Sequence, residues 1–291
     1  MRNQVSIRER TMNPPKPLET LYETNWGTPV PLPKDLSELY GDLSFPRRVL
    51  PHIISNFVTT LDGVASLDSQ ELAPDDAISG ASPEDRMVMG LLRSSCDAVV
   101  IGAGSLRSAP GYLGSAGAIF PPLEGPYAVL RSSLGKTQPP LNVIVSARGL
   151  LDPKMRLLHS GEVPVLIVTT SAGRRNIESI GPSPAVKIFV RESSGAFSAD
   201  TIIEAITSTC SAPDLILLEG GPRLMGRFFA DGCLDELFLT LASQVAGRDG
   251  STDRPGLVEG EIFSPGRPLW GRLLSVKRGG STLFLRYAFG S

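Results

Sequence analysis

Short apolar runs, each bounded by glycine, proline or charge, recur along most of this chain, with amphipathic stretches between them. His52-Ile53-Ile54-Ser55-Asn56-Phe57-Val58-Thr59-Thr60 is β-branched and apolar and stops at the turn dipeptide Asp62-Gly63, which predicts a strand. Asp97-Ala98-Val99-Val100-Ile101-Gly102 predicts a second strand, of the buried type. Further strands are expected at Asn142–Val145, Val163–Thr169, Val186–Val190, Leu215–Leu218 and Leu237–Leu241. Ser82-Pro83-Glu84-Asp85 supplies an N-cap, a proline at the first helical position and first-turn acids, opening a helix that runs to about Arg93. Other helices are expected at about Ala172–Ile180, Asp200–Thr209 and Pro222–Asp231. Arg272–Lys277 and Thr282–Phe289 flank Gly279-Gly280 as a closing hairpin. This alternation predicts an α/β fold. A mostly parallel central sheet carries helices on both faces, and the antiparallel C-terminal hairpin supplies its edge strands.

Residues 1–46 are rich in proline and polar residues and read as a partly ordered N-terminal extension, packing through Trp26, Leu36 and Leu39. Composition changes at Arg47, and residues 47–291 read as one domain. A mobile polar loop is expected up to residue 80. The Gly/Pro-rich stretches 108–140 and 246–270 read as long loops within the domain.

Lys and Arg number 28 against 30 Asp and Glu, so bulk charge attracts neither nucleic acid nor an anionic membrane. No apolar run has the length of a membrane span, and no basic-then-apolar signal pattern opens the chain. Glu9, Glu19 and Glu23 speak against an organellar peptide. Cys96, Cys210 and Cys233 are isolated, and His52 and His159 are the only histidines, so neither disulfides nor a metal centre is expected. These features point to a cytoplasmic protein.

The richest segment is Leu215-Ile216-Leu217-Leu218-Glu219-Gly220-Gly221-Pro222. A buried strand runs into a glycine turn, and Pro222 starts a helix where its missing N–H costs nothing. Unpaired N–H groups and the positive end of the dipole make that helix start a phosphate cradle, with the Glu219 carboxylate beside it. Val100-Ile101-Gly102-Ala103-Gly104-Ser105 is a second strand running into glycines and a hydroxyl. Arg107 stands where a dinucleotide fingerprint needs glycine, so this segment alone reads as a plain turn. Asp62 is by itself a turn residue and Arg93 by itself a helix-end cation. Together with the two glycine-bearing strand ends, Asp62 makes a cofactor cleft the better joint reading.

At these residues the chain resembles the reductase domain of riboflavin biosynthesis, the pyrimidine reductase of bifunctional deaminase–reductases, with a dihydrofolate-reductase-like fold. The resemblance spans residues 50–289 through Thr60-Leu61-Asp62-Gly63, Ile78-Ser79-Gly80 to Leu92-Arg93, and Asp97 to Ser105. It continues through Glu219 to Leu224, Leu234-Asp235-Glu236-Leu237 and Leu285-Arg286-Tyr287. It implies NADPH as hydride donor and a ribosylamino-pyrimidine 5′-phosphate as acceptor, reduced at C1′ to a ribityl chain. It places cofactor contacts at Gly102, Gly104, Ser105, Ser146, Thr169, Gly220, Gly221, Pro222, Arg223 and Leu224. Substrate contacts fall at Arg93, Ser79, Asp62 and Glu219, with Arg93 at the phosphate. Glu219 is the first choice for substrate anchor and proton relay, and Asp62 the second, a buried carboxyl being able to hold a proton near neutrality.

The resemblance also implies a homodimer, with the C-terminal strands as a natural edge for it. The zinc deaminase often fused upstream needs His-x-Glu and Pro-Cys-x-x-Cys, which do not occur, so a stand-alone reductase is expected. The chain departs from the family after Ser105. The usual Asp-Asp-Pro is replaced by Leu106-Arg107-Ser108-Ala109-Pro110-Gly111-Tyr112. The lost acid leaves two alternatives, a reductase of a pterin or other small heterocycle and a non-catalytic nucleotide-binding protein.

Overall fold

The computed structural model describes residues 14–24, 26–46, 51–67, 74–107, 109 and 111–290. Strands β1 (Glu19–Glu23) and β2 (Thr28–Pro29), helix α1 (Lys34–Tyr40) and strand β3 (Ser44–Phe45) come first. They precede β4 (His52–Thr59), α2 (Pro74–Ser79), α3 (Pro83–Ser95), β5 (Ala98–Gly102) and α4 (Ala103–Leu106). Next are α5 (Ala116–Ile119), α6 (Glu124–Ser133), β6 (Leu141–Val145), α7 (Arg156–His159), β7 (Val165–Thr169), α8 (Ser171–Ile180) and β8 (Val186–Val190). The chain closes with α9 (Ala199–Thr207), β9 (Leu215–Gly220), α10 (Pro222–Ala230), β10 (Glu236–Leu241), β11 (Arg272–Gly279) and β12 (Thr282–Ala288).

Ten strands form one sheet in the order β1-β11-β12-β10-β4-β9-β5-β6-β7-β8. From β10 to β8 every pairing is parallel, while β12, β11 and β1 add antiparallel strands. The mostly parallel sheet and the C-terminal hairpin are therefore as the pattern predicts. Alternate side chains of the central strands enter opposite cores, because successive Cβ atoms leave a strand on opposite faces. Ile53, Val100 and Leu218 pack with Ile202 of α9 and Phe228 of α10. Ile54, Val99 and Leu217 pack with Met87, Leu91 and Leu92 of α3 and with Tyr127 of α6. Covered on both faces, these strands are mostly apolar, with the polar residues of β4 buried as well.

Three expectations are corrected. The hairpin does not end the sheet, because β1 pairs antiparallel with β11 and becomes the edge. Lys277, almost fully buried in β11, holds that strand through Glu23 at 2.6 Å and Thr20 at 3.1 Å. Stretch 108–140 is not all loop. It contains α5 and α6, whose prolines sit before or within a first turn, where a missing N–H is tolerated. Gly90 lets α6 approach, since a Cβ there would lie 2.5 Å from the Tyr127 ring. The polar loop expected up to residue 80 ends in α2, and its residues 68–73 lie outside the described residues, as do residues 1–13 of the extension.

At the amino-terminal ends of β4 and β10 a buried charge cluster ties residues 26–45 to the sheet. Glu236 accepts from Trp26 Nε1 at 2.9 Å and Arg286 Nε at 2.6 Å, with His52 Nε2 at 2.9 Å. Arg286 also donates to the Ser44 carbonyl at 2.5 Å and lies over the Phe45 and Phe238 rings. Burial pushes the Glu236 carboxyl up, but the His52 and Arg286 contacts outweigh it and hold the group below its ordinary value. A depressed carboxyl pKa stabilises the fold above the unfolded value and is lost as pH falls through the folded one. We expect Glu236→Ala to cost roughly 3–5 kcal/mol by denaturant unfolding at neutral pH, because it strands Arg286 in the core. The cost should shrink on acidification below the ordinary carboxyl value of 4.5.

Candidate active site

A cleft of about 1740 Å³ opens along the carboxyl ends of the parallel strands, where open α/β sheets place ligands. One half is built from glycine-bearing strand ends. β5 leads through Gly102 into α4, and β9 leads through Gly220 and Gly221 into α10. Ser105 touches the glycine turn closely. A Cβ at Gly220 would lie 3.1 Å from its Oγ and one at Gly221 3.3 Å. No side chain caps α10, so the first-turn N–H groups of Arg223 and Leu224 have no side-chain acceptor at their N-cap, the state that suits an anion. Ser146 and Arg148, beyond β6, complete this half.

The other half is walled by α2, α3 and β4. Asn56, Asp76, Asp85, Arg86 and Met89 line it. Arg86 grips Asp76 with Nε–Oδ1 at 3.1 Å and Nη2–Oδ2 at 2.6 Å.

Between the halves lies a buried ion pair. Arg93 Nε and Nη2 each donate to one Glu219 oxygen at 2.7 Å, and both side chains are almost fully buried. Arg93 Nη1 also donates to the carbonyls of Leu113 at 3.1 Å and Ser115 at 3.4 Å. Tyr112 donates its hydroxyl to Glu219 at 3.1 Å and lies beneath the Arg93 guanidinium. Burial alone would lower the Arg93 pKa, but the Glu219 charge holds it above its ordinary value. Burial, then the Glu219 charge, pushes the Tyr112 phenol well up, so it stays a donor.

The sequence-derived residues are brought together unevenly. Gly102, Gly104, Ser105, Ser146, Gly220, Gly221, Pro222, Arg223, Leu224, Arg93 and Glu219 all line the cleft. Thr169 does not. It is fully buried and donates to the Ser146 carbonyl at 2.7 Å, holding the β6 end in place. Ser79 closes α2 outside the cleft lining, its buried hydroxyl without a partner.

Asp62 is also outside the lining. Its carboxylate accepts from Thr60 at 2.7 Å and from the N–H groups of Ala246 and Gly247 at 3.0 and 2.8 Å. Those bonds, Thr60 first, hold it far below the ordinary carboxyl range, so it pins a loop and carries no proton. Arg93 and Glu219 line the cleft as a mutual ion pair, with the Arg93 fork on the Glu219 carboxylate and Tyr112 as a further donor to that carboxylate. Sequence reading missed Tyr112 as a partner of Glu219 and Asp85 as a wall residue. Asp85 had a signal, because it stands three positions before Val88 and seven before Leu92, on the buried stripe of α3.

The parallel sheet, its antiparallel C-terminal hairpin and this cleft define a dihydrofolate-reductase-like oxidoreductase fold. Residues 51–282 match the model of the RibD C-terminal domain, and the chain belongs to that family. A pyrimidine reductase-like protein from Corynebacterium diphtheriae aligns at 20% identity and TM-score 0.64, over 83% of this chain and 92% of that one. The diaminohydroxyphosphoribosylaminopyrimidine deaminase/5-amino-6-(5-phosphoribosylamino)uracil reductase of Thermotoga maritima aligns at 18% and 0.61. That alignment covers 83% of this chain and 57% of that one. The riboflavin biosynthesis reductase Rib7 of Saccharomyces cerevisiae aligns at 13% and 0.52, over 84% and 91%. No curated protein is close enough in sequence to count as a match.

Removing Glu219 should be costly because a buried guanidinium is left unpaired. Glu219→Leu is expected to destabilise by roughly 3–5 kcal/mol, and Arg93→Met with Glu219→Leu by much less than the two single changes summed. Urea unfolding of the four proteins in that cycle measures it.

Proposed function

We propose that this protein reduces a ribosylamino-pyrimidine 5′-phosphate to its ribitylamino form in riboflavin biosynthesis, with NADPH as hydride donor to C1′. The observation that carries the reading is one cleft joining an uncapped glycine-rich helix start to a recess walled by polar side chains. Family membership supports it.

The residues present fit a dinucleotide phosphate. Backbone at Gly220 and Gly221 is unshielded by Cβ atoms, and Arg148 and Arg223 bring positive charge to the same half. Gly102, Gly104, Ser105, Ser146 and the Gly220–Leu224 turn would hold the cofactor. Bound there, NADPH supplies a hydride.

The chain's own part is placement and exclusion of water. The Arg93–Glu219–Tyr112 cluster fixes the floor between the two halves, so cofactor and acceptor meet at a defined depth. With Arg93 committed to Glu219, the substrate phosphate falls to Arg107, an exposed cleft-lining cation in no salt bridge among the described residues.

Mixing the protein with NADPH and the ribosylamino-pyrimidine phosphate should oxidise the nicotinamide, followed by its absorbance. NADPH that binds and stays reduced would reject this substrate and turn attention to pterins. Gly221→Leu should fill the cradle against Ser105 and weaken NADPH binding roughly tenfold or more, the effect of losing about 1.4 kcal/mol, read by nicotinamide fluorescence.

A further inference from the structure

Asp62 stands just past the end of β4, outside the cleft lining, and the mechanism above leaves it unused. Its side chain is tied to a second loop, the one that follows β10. Each carboxylate oxygen accepts one of two successive N–H groups, Ala246 at 3.0 Å and Gly247 at 2.8 Å. Arg248 Nη1 donates in return to the Asp62 carbonyl at 2.9 Å. Backbone repeats the link on either side of Asp62. Leu61 N–H donates to the Gln244 carbonyl and Ala65 N–H to that of Pro255, both at 2.8 Å. Arg254 closes the second loop on itself, donating to the Ala246 carbonyl and, at 3.0 Å, to that of Gly247. Residues 60–66 and 244–256 are therefore held together at the ends of β4 and β10.

The joined loops reach the glycine-lined half of the cleft. Ala65, Ser66, Asp253, Pro255 and Glu259 line the cavity. Beyond Pro255 the chain lies along α10. Gly256 N–H donates to Glu259 Oε1 at 3.0 Å. Glu259 N–H donates to the Pro222 carbonyl at 3.1 Å, in the turn that opens the phosphate cradle. Glu261 stands 3.6 Å from Arg227 Nη1 of the same helix. The fit is close, since a Cβ at Gly226 would lie 2.7 Å from the Glu259 carbonyl oxygen. One run of contacts thus leads from the Asp62 carboxylate, through residues 244–259, to the start of α10.

Two N–H groups converging on one side chain need an acceptor with two oxygens on a fixed stem, which a carboxylate supplies. Water could satisfy the same donors singly, but it would not join loop to loop. Asp62 is half-buried and Gly247 is at the surface, so removing the carboxylate strands no charge in the core. What goes is the tether. Resting on the cofactor reading above, we propose that Asp62 is a positioning residue for NADPH. It acts through the strap of residues 244–259 to hold the start of α10 where the cofactor phosphates dock. Its part lies in cofactor affinity, not in proton transfer.

Asp62→Ala removes both acceptor oxygens and Asp62→Asn keeps one, so the two variants grade the tether. NADPH titrated into the full chain should bind roughly 3- to 30-fold more weakly to Asp62→Ala, the span a contact network carries, with Asp62→Asn between. Turnover at saturating NADPH should stay within about twofold of wild type, because only binding is lost. Amide exchange by NMR, without ligand, reads the tether itself. In Asp62→Ala it should quicken at Ala246 and Gly247 and also at Glu259 and at Met225, whose N–H donates to the Gly221 carbonyl at 3.0 Å. Turnover lost with NADPH affinity intact would put Asp62 in the chemistry and overturn the inference. Faster exchange confined to Ala246 and Gly247, or affinity lost only in step with the urea midpoint, would overturn it as well. If Asp62→Ala does not fold, Asp62→Asn decides by the same readings. If the wild type does not bind NADPH, exchange that reaches Glu259 and Met225 supports the strap and rejects the cofactor reading. NADPH weakened as expected but never oxidised supports the inference and rejects the substrate.

Discussion

A guanidinium removed from water must be matched where it lies, and Arg93 is matched by Glu219, which stands 126 positions further along the chain. The pair joins α3 to the end of β9. Through the carbonyls of Leu113 and Ser115 and the hydroxyl of Tyr112, it also fixes the segment that follows α4. Three stretches distant in sequence are thereby locked at one depth, and the cleft is divided there into a glycine-lined half and a half walled by α2 and α3. Breaking such a pair leaves a buried charge, so its geometry is held far more firmly than a surface bridge would be.

The same physics acts at the opposite end of the strands. Glu236, His52 and Arg286 form a second buried charge cluster, and Trp26 and Ser44 attach residues of the N-terminal stretch to it. Beside it, Lys277 clasps β1 onto β11. An exposed row of unpaired backbone groups invites pairing with other chains. Here β11 is shielded from that role, and β1 takes it over.

Much of the architecture was legible because buried parallel strands are apolar on both faces and stand out from amphipathic helices. β8 begins and ends where the sequence puts it, and β4, β5 and α10 differ from expectation by a residue or so. α6 was hidden because its first turn contains Gly125 and Pro126, residues that read as loop unless their position in the turn is known. β1 was hidden because all five of its residues are exposed, so it carries no apolar alternation. The glycine cradle was legible for the opposite reason, since turn chemistry is local. Charge pairing is not local. Nothing near Arg93 or Glu219 in sequence shows that each pairs with the other, and nothing near Asp62 shows the loop at Ala246 and Gly247 that claims its oxygens.

The central claim is that this cleft sets a nicotinamide against C1′ of a pyrimidine-linked sugar. Running the reaction with NADPH deuterated at the transferable C4 position tests it most directly, with the product read by mass spectrometry and proton NMR. The account predicts deuterium at C1′ of a ribityl chain. Deuterium on the heterocycle, or oxidised nicotinamide with none in the product, would contradict it.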